Sequence, residues 1–205
     1  MMKSFKDDVF FQNFEKLGKE MYGQKYILHE NEAQILLKLR AYFGKDVKAA
    51  QELDIDLQKG IFLTGSIGSG KTSLMHIFRE SLLPNFRFLI KPCADVSFEY
   101  VQDGVQVIFQ YSRKSFKNDN QPRTICFDDL GLEPSTSFYS NKVNIMREII
   151  LSRYYFFKSH DMITHFTSNL GASELEKRYG KEVRSRVREM CNIIVFPQNT
   201  EDKRS

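Results

Sequence analysis

Apolar residues follow two different spacings along this chain, and the changes between them predict an ordered series of helices and strands. Near the amino end, apolar side chains recur at helical spacing over residues 4–20 and 31–43, and residues 44–58 resemble a linker. Short apolar runs of strand type cover residues 60–64, 86–91, 124–129, 162–166 and 191–196. Helical patterns lie between and beside them, at residues 73–79, 95–112, 141–158, 174–179 and 181–190. From residue 60 onward, strands therefore alternate with helices.

The first predicted strand leads directly into a glycine-rich sequence. Residues 65–72 read Gly-Ser-Ile-Gly-Ser-Gly-Lys-Thr, which is the P-loop pattern, placed between a strand and a helix as that motif requires. Glycines let the backbone approach phosphates closely, and N–H groups at a helix start bind anionic oxygens. We expect Lys71 to reach the β- and γ-phosphates of a nucleoside triphosphate and Thr72 to bind Mg²⁺. The predicted nucleotide-binding residues are Gly65, Ser66, Ile67, Gly68, Ser69, Gly70, Lys71, Thr72 and Ser73.

A second motif, which is acidic, ends the strand predicted over residues 124–129. The apolar run is followed by Asp128 and Asp129, which is the form of a Walker B element. We assign Asp128 to the Mg²⁺ shell and Asp129 to orienting or deprotonating water. Glu133 lies close enough in sequence to compete for the role of base.

Polar residues also follow the next strand, at residues 167–169. A polar side chain at this strand end would lie beside the γ-phosphate and report its presence, and Asn169 is the candidate. The alternative is that Asn169 caps a turn or helix before Leu170 and Gly171.

The last predicted helix, residues 181–190, carries Arg184, Arg186 and Arg188. Arginines on a polar helix usually face water. Arg186 lies before the final core strand, where it could instead reach a nucleotide held by a neighbouring subunit, as an arginine finger does.

The sequence leaves two possible roles open for each of two further regions. The helix at residues 4–20 either packs on its own domain or serves as an arm that binds a partner. The polar, mostly basic residues 112–123 either form a solvated connection or contact a nucleic-acid backbone, with Phe116 available to stack on a base.

Composition narrows the classes of protein. The 205 residues are 41% apolar and 27% charged, which is ordinary for a globular protein, and no apolar run is long enough to span a membrane. No secretory signal is evident, so we expect a cytoplasmic location. Three widely spaced cysteines indicate reduced core residues without a zinc pattern. The net charge of +4 permits nucleic-acid contact but does not demonstrate it.

Taken together, the motifs resemble those of the DnaC-like AAA+ ATPases, which include helicase loaders and the similar IstB-like transposition ATPases. The resemblance covers roughly residues 55–204. It is carried by the P-loop, by Phe-Asp-Asp-Leu-Gly at 127–131, by Leu-Ser-Arg-Tyr at 151–154, by Thr-Ser-Asn-Leu at 167–170 and by residues 179–186. The pair formed by Thr-Ser-Asn-Leu and Tyr-Gly followed by Ser-Arg is more specific than the P-loop.

The resemblance implies an α/β fold of the P-loop NTPase (AAA+ type), a three-layer αβα arrangement with a parallel sheet of strand order 5-1-4-3-2. It implies that Asn169 is sensor 1 and that Arg186 is a trans-acting arginine finger. Arg204 lies where a sensor 2 arginine is expected. Two departures are Asp129 in place of the usual glutamate and little chain after the last strand to form a helical lid.

The implied organisation is a helical N-terminal extension over residues 1–50 and an AAA+ domain over residues 51–205. The leading hypothesis is an ATP-hydrolysing, Mg²⁺-dependent helicase loader that forms a homo-oligomer with ATP, contacts single-stranded DNA and engages a replicative helicase. An IstB-like partner of a transposase is the first alternative. Two further alternatives are a nucleotide kinase and a non-hydrolysing ATP-binding module. A kinase should carry a basic lid, and a non-hydrolysing module would show no ATP turnover.

Overall fold

The computed structural model describes residues 8–134, 137–138 and 141–197, which form two compact units. The described part of the first, here called the P-loop unit, is residues 8–57, 66–87 and 195–197. The described part of the second, the sheet unit, is residues 58–65, 88–134, 137–138 and 141–194. The predicted division into residues 1–50 and 51–205 stays a prediction.

A five-stranded sheet contains the strands predicted from the apolar runs. In chain order the strands are β1 (Gly60–Thr64), β2 (Leu89–Pro92), β3 (Ile125–Leu130), β4 (Ser137–Phe138), β5 (Asn141–Lys142), β6 (Thr164–Ser168) and β7 (Cys191–Val195). Strands β4 and β5 form a separate antiparallel pair. The others lie in the order β2-β3-β6-β1-β7, and the sheet is parallel throughout. Without the small hairpin this is order 2-3-4-1-5, so the predicted strand order and parallel α/β fold are confirmed.

Three α-helices precede β1, and the other described α-helices lie in the connections between strands. They are α1 (Val9–Tyr22), α2 (Ala33–Phe43), α3 (Val47–Glu52), α4 (Lys71–Ser81), α5 (Cys93–Asp103), α6 (Val105–Tyr111), α7 (Ile145–His160), α8 (Ala172–Tyr179) and α9 (Lys181–Met190). The linker predicted at residues 44–58 was wrong in part, because it contains α3. The Asp46 carboxylate accepts a hydrogen bond from the Ala49 amide at 3.0 Å and caps this short helix.

An aromatic cluster holds the helices of the P-loop unit together. The Phe14 and Phe78 ring centroids lie 4.5 Å apart, and Phe43 stacks on Phe78 at 5.1 Å. Phe10 adds a third ring, 6.3 Å from Phe78. Two roles were predicted for the N-terminal helix. Its apolar face packs within its own unit, against the helix that follows the P-loop.

The sheet unit has its own core, built on aromatic rings from neighbouring strands. Phe166 of β6 lies between Phe127 of β3 and Phe62 of β1, with both ring centroids 5.9 Å away. All three side chains are buried. The stacked rings fix β6 between β3 and β1 and so bring together the ends of three strands.

A buried arginine joins this core to the loops that enter the sheet. Arg153 of α7 is fully buried and donates to the Thr164 hydroxyl at 2.7 Å. Its guanidinium also donates to three backbone carbonyls, those of Tyr111, Arg123 and Ile163, at 2.9–3.0 Å. Burial lowers the pKa of Arg153 to about 9, so the side chain stays charged at neutral pH. Arg153 therefore anchors the starts of β3 and β6 to α6 and α7.

We expect Arg153→Met to destabilise the protein by at least about 3 kcal/mol, because each buried acceptor left without a donor costs about 1–3 kcal/mol. Urea unfolding followed by circular dichroism measures the change. Arg188→Met on α9, where the side chain is exposed, is the matched control and should alter the free energy of unfolding by less than about 0.5 kcal/mol. An equally small effect at both positions would contradict the anchoring role.

Candidate functional site

The P-loop adopts backbone angles that favour glycine. Gly68 and Gly70 have φ angles of 80° and 86°, in the left-handed region that other residues rarely occupy. Gly70 is the N-cap of α4, so no side chain caps the first turn of that 11-residue helix. An uncapped helix start preceded by a glycine-rich loop presents N–H groups and a positive dipole end, which suits an anion such as a phosphate.

Lys71, the first residue of α4, lies across the same loop. Its ammonium donates to the Ser66 carbonyl at 2.7 Å and to the Ser69 hydroxyl at 3.2 Å. The side chain is buried, with only 4% of its surface exposed. These contacts place the cation over the P-loop backbone, where a bound phosphate would meet it.

A bulge at the end of β3 displays the two acids of the predicted Walker B element. Phe127 pairs with Phe166 and Leu130 with Ser168, so β3 has one residue more than β6 over this interval. Asp129 takes a left-handed φ of 55° within the bulge. Such bulges change the direction of side chains and are common beside functional sites. This local backbone conformation is not visible in the apolar pattern of the strand.

Thr167 of β6 holds both acids in place. Its hydroxyl donates to the buried Asp128 carboxylate at 2.5 Å and accepts from the Asp129 amide at 2.9 Å. One side chain thus fixes the bulge and orients a carboxylate. Sequence reasoning missed this residue, although a threonine directly after an apolar strand was the signal for it.

The next residue, Ser168, joins three strand ends. Its hydroxyl donates to the Leu130 carbonyl at 2.6 Å, while its own carbonyl accepts from the Gly65 amide at 3.3 Å. Gly65 is the first residue of the P-loop motif. The carboxyl ends of β3 and β6 and the start of the P-loop therefore lie at one edge of the sheet.

Asn169 follows immediately, at the same edge. Its side chain is half-buried and makes no hydrogen bond within the described residues. Other residues take the capping role that was the alternative for Asn169. The Ser168 hydroxyl accepts from the Leu170 amide, and Gly171 is the N-cap of α8. The predicted role of Asn169 as a γ-phosphate sensor stays a prediction.

Glu133, the rival candidate for the base, is fully engaged elsewhere. Its carboxylate is buried and accepts from the Gly131 amide at 2.8 Å, from Arg178 at 3.2 Å and from the Tyr179 hydroxyl. Burial, followed by the neighbouring charge of Glu133, raises the pKa of Tyr179. These bonds attach the loop after β3 to α8, which indicates a structural role for Glu133 and favours Asp129 as the base.

Arg186 lies on α9, with 37% of its side chain exposed. Its guanidinium stacks on the Tyr154 ring of α7, with the central carbon 4.5 Å from the ring centroid. The predicted arginine finger is thus a surface residue of the sheet unit. Arg204, the sensor 2 candidate, lies outside the described residues.

The basic loop at residues 112–123 enters β3 at the opposite edge of the sheet, because it precedes that strand. Phe116, which could have stacked on a base, packs on Phe156 and His160 of α7 with ring centroids 5.7 Å away. Arg123 donates to the Phe116 carbonyl at 3.0 Å, and Arg113 covers the Phe109 ring. These contacts support the interpretation as a structural connection and leave DNA contact by this loop a prediction.

Two other features, a membrane-spanning helix and a metal-binding cluster, are absent from the part of the chain that the structure describes. No helix there combines the length and apolar character needed to cross a bilayer. No cluster of three or more histidine, cysteine or acidic side chains there could hold a metal ion by itself. The three cysteines are buried thiols, and burial raises the pKa of each.

The fold is similar to that of the DnaC helicase loader, with a TM-score of 0.57 and 19% sequence identity over 91% of this chain and 99% of that chain. It is also similar to DnaI, with a TM-score of 0.57 and 18% identity over 83% of this chain and 87% of that one. This chain shares the fold of DnaC and DnaI. No protein-family model and no curated protein sequence matches it. The resemblance predicted from the motifs is confirmed at the level of the DnaC fold.

The two candidate bases should differ in what their loss affects. We expect Asp129→Asn to reduce ATP turnover by about 10²–10⁴, the usual contribution of a positioned base, while stability changes little because asparagine tolerates a left-handed backbone. Glu133→Gln should instead lower the free energy of unfolding by about 1–3 kcal/mol, because its buried bonds weaken. Phosphate release at saturating ATP and urea unfolding measure the two effects. Full turnover in Asp129→Asn, with none in folded Glu133→Gln, would reverse the assignment.

Proposed function

We propose that this chain is a DnaC-like AAA+ ATPase that acts as a helicase loader in DNA replication. The observation that carries the proposal is the meeting of functional groups at one edge of the sheet. Asp128, Asp129 and the Thr167 hydroxyl lie there together with the first residue of the P-loop. P-loop ATPases need a carboxylate and a water-orienting group at this strand end. The fold shared with the DnaC helicase loader and with DnaI adds to it.

ATP is the proposed nucleotide, bound with Mg²⁺. The positive-φ glycines and the uncapped start of α4 fit a polyphosphate, and Lys71 supplies the cation. We assign Mg²⁺ to Thr72 and Asp128, because hydroxyl and carboxylate oxygens are the donors this ion prefers. Mg²⁺ held by these two residues would supply positive charge that offsets the negative charge developing on the phosphates. Asp129 then orients or deprotonates the attacking water, and Asn169 contacts the γ-phosphate.

Hydrolysis is completed between neighbouring copies in this proposal. Arg186 is exposed on α9 and carries a permanent charge, so it can reach a phosphate on an adjacent subunit. ATP then favours a homo-oligomer because it adds contacts that ADP lacks. Turnover is slow in isolated protomers and rises with protein concentration.

The proposed partners are a replicative helicase and single-stranded DNA, with action in the cytoplasm. The outward face of α1 offers one docking surface for the helicase, since its inward aromatic face is occupied by α4. Val9 is an exposed apolar side chain on this face, and Lys16 and Glu20 are exposed on the same face further along the helix. An apolar and charged helix face of this kind suits a protein partner.

The proposal predicts that the purified protein retains the replicative helicase only when ATP is present. Lys71→Ala, which removes the P-loop cation, should lose that retention while keeping the fold. The measurement is an affinity pull-down with ATP, with ADP and without nucleotide, using the helicase as prey. Arg188→Ala on α9 is the control and should behave as the wild type. Intact ATP hydrolysis without any helicase retention would reject the loader function and favour the alternative of a transposase-associated ATPase.

A further inference from the structure

Arg186 is part of a four-residue cluster on the surface of the sheet unit. The cluster joins Tyr154 and Lys158 of α7, one helical turn apart, to Arg186 and Glu189 of α9, three residues apart. The Tyr154 hydroxyl donates to the Glu189 carboxylate at 2.6 Å, and the Lys158 ammonium donates to the other oxygen of Glu189 at 2.9 Å. Arg186 covers the face of the Tyr154 ring.

The distances show how the Glu189 carboxylate is shared. Both of its oxygens have short bonds, one to Tyr154 and one to Lys158, whereas its distance to Arg186 is 3.9 Å. Arg186 keeps one long hydrogen bond, 3.3 Å to the Tyr154 hydroxyl oxygen. A guanidinium has five N–H donors, so most of the hydrogen-bonding capacity of Arg186 stays available to another anion.

The directions of the pKa shifts of Tyr154 and Glu189 agree with these hydrogen bonds. The hydrogen bond to Glu189 raises the pKa of Tyr154, so the phenol stays protonated and keeps donating. The bond from Tyr154, followed by the bond from Lys158, lowers the pKa of Glu189. The carboxylate is therefore charged, and its two short bonds go to Tyr154 and Lys158, which leaves Arg186 with the long contact of 3.9 Å.

We propose that Tyr154 is the positioning residue of Arg186 and that Lys158 acts with it by occupying Glu189. The aromatic face carries the guanidinium in a fixed direction, and the occupied carboxylate does not capture it. Arg186 then meets a nucleoside triphosphate on a neighbouring copy and gives up only a long ion pair of 3.9 Å with Glu189. The inference rests on the proposed function, because it assumes that Arg186 acts in trans.

The first test removes the aromatic platform. Tyr154→Ala should lower kcat by about 2- to 5-fold, the value of an exposed cation–π contact of roughly 0.5–1 kcal/mol. The dissociation constant for a fluorescent ATP analogue should not change, because Arg186 does not serve the nucleotide of its own protomer. Tyr155→Ala is the matched control, since Tyr155 is the adjacent tyrosine and is 65% exposed.

A second test leaves the packed tyrosine intact. Lys158→Met removes one partner of Glu189, so the carboxylate can pair with Arg186, and kcat should fall by about 2- to 5-fold, as for a surface ion pair of up to about 1 kcal/mol. Adding Glu189→Gln to Lys158→Met removes the competing charge and should restore kcat. A cluster with only a structural role predicts neither the loss nor the rescue.

The outcomes separate this inference from the proposed function. If Arg186→Ala abolishes turnover while Tyr154→Ala and Lys158→Met match the Tyr155→Ala control, Tyr154 is not a positioning residue and the trans role of Arg186 stands. If Arg186→Ala keeps full turnover at every protein concentration, the trans role fails and the inference fails with it. Loss of kcat in both variants, with rescue by Glu189→Gln, supports the inference.

Discussion

The position of β6 between β1 and β3 is the constraint on which the candidate site depends. Parallel pairing on both sides places the carboxyl ends of all three strands at one edge. Thr167 and Ser168 at the end of β6 then bond to both neighbours, to the acids of β3 and to the first residue of the P-loop. The aromatic ring of Phe166 packs β6 against its two neighbours. The hydroxyls of Thr167 and Ser168 then hydrogen-bond to β3 at the carboxyl end of the strand.

The helices after β6 extend this arrangement to the surface. Glu133, buried beneath Arg178 and Tyr179, attaches the loop after β3 to α8 through hydrogen bonds from both residues. Helix α9 follows α8 after Gly180 and carries Arg186. In the proposed function, the bonds of Glu133 attach the strand end beside the nucleotide to the helices that lead to Arg186, and this attachment is the route by which we propose that ATP favours assembly.

The P-loop context and the order of the elements could be predicted from the sequence, because apolar runs and glycine spacing reflect local requirements. The strand order instead followed from the resemblance to the DnaC-like ATPases. The bulge at Asp129 could not, since its extra residue is defined only by pairing with β6. The bonds of Glu133 and Tyr154 were also hidden, because their partners lie 35–46 residues away in the chain. Helix α3 was missed because its six residues make fewer than two helical turns, which is too short to show a repeated apolar spacing.

The central claim is that two protomers share each active nucleotide site, and mixing two inactive variants tests it most directly. In the proposed mechanism, Lys71→Ala cannot hold ATP productively but still supplies Arg186, while Arg186→Ala holds ATP but lacks the trans-acting cation. Steady-state phosphate release should be negligible for each variant alone and should reappear when they are mixed, rising with total concentration. Turnover that stays absent in the mixture, although both variants are folded and self-associate with the wild type, would contradict the account.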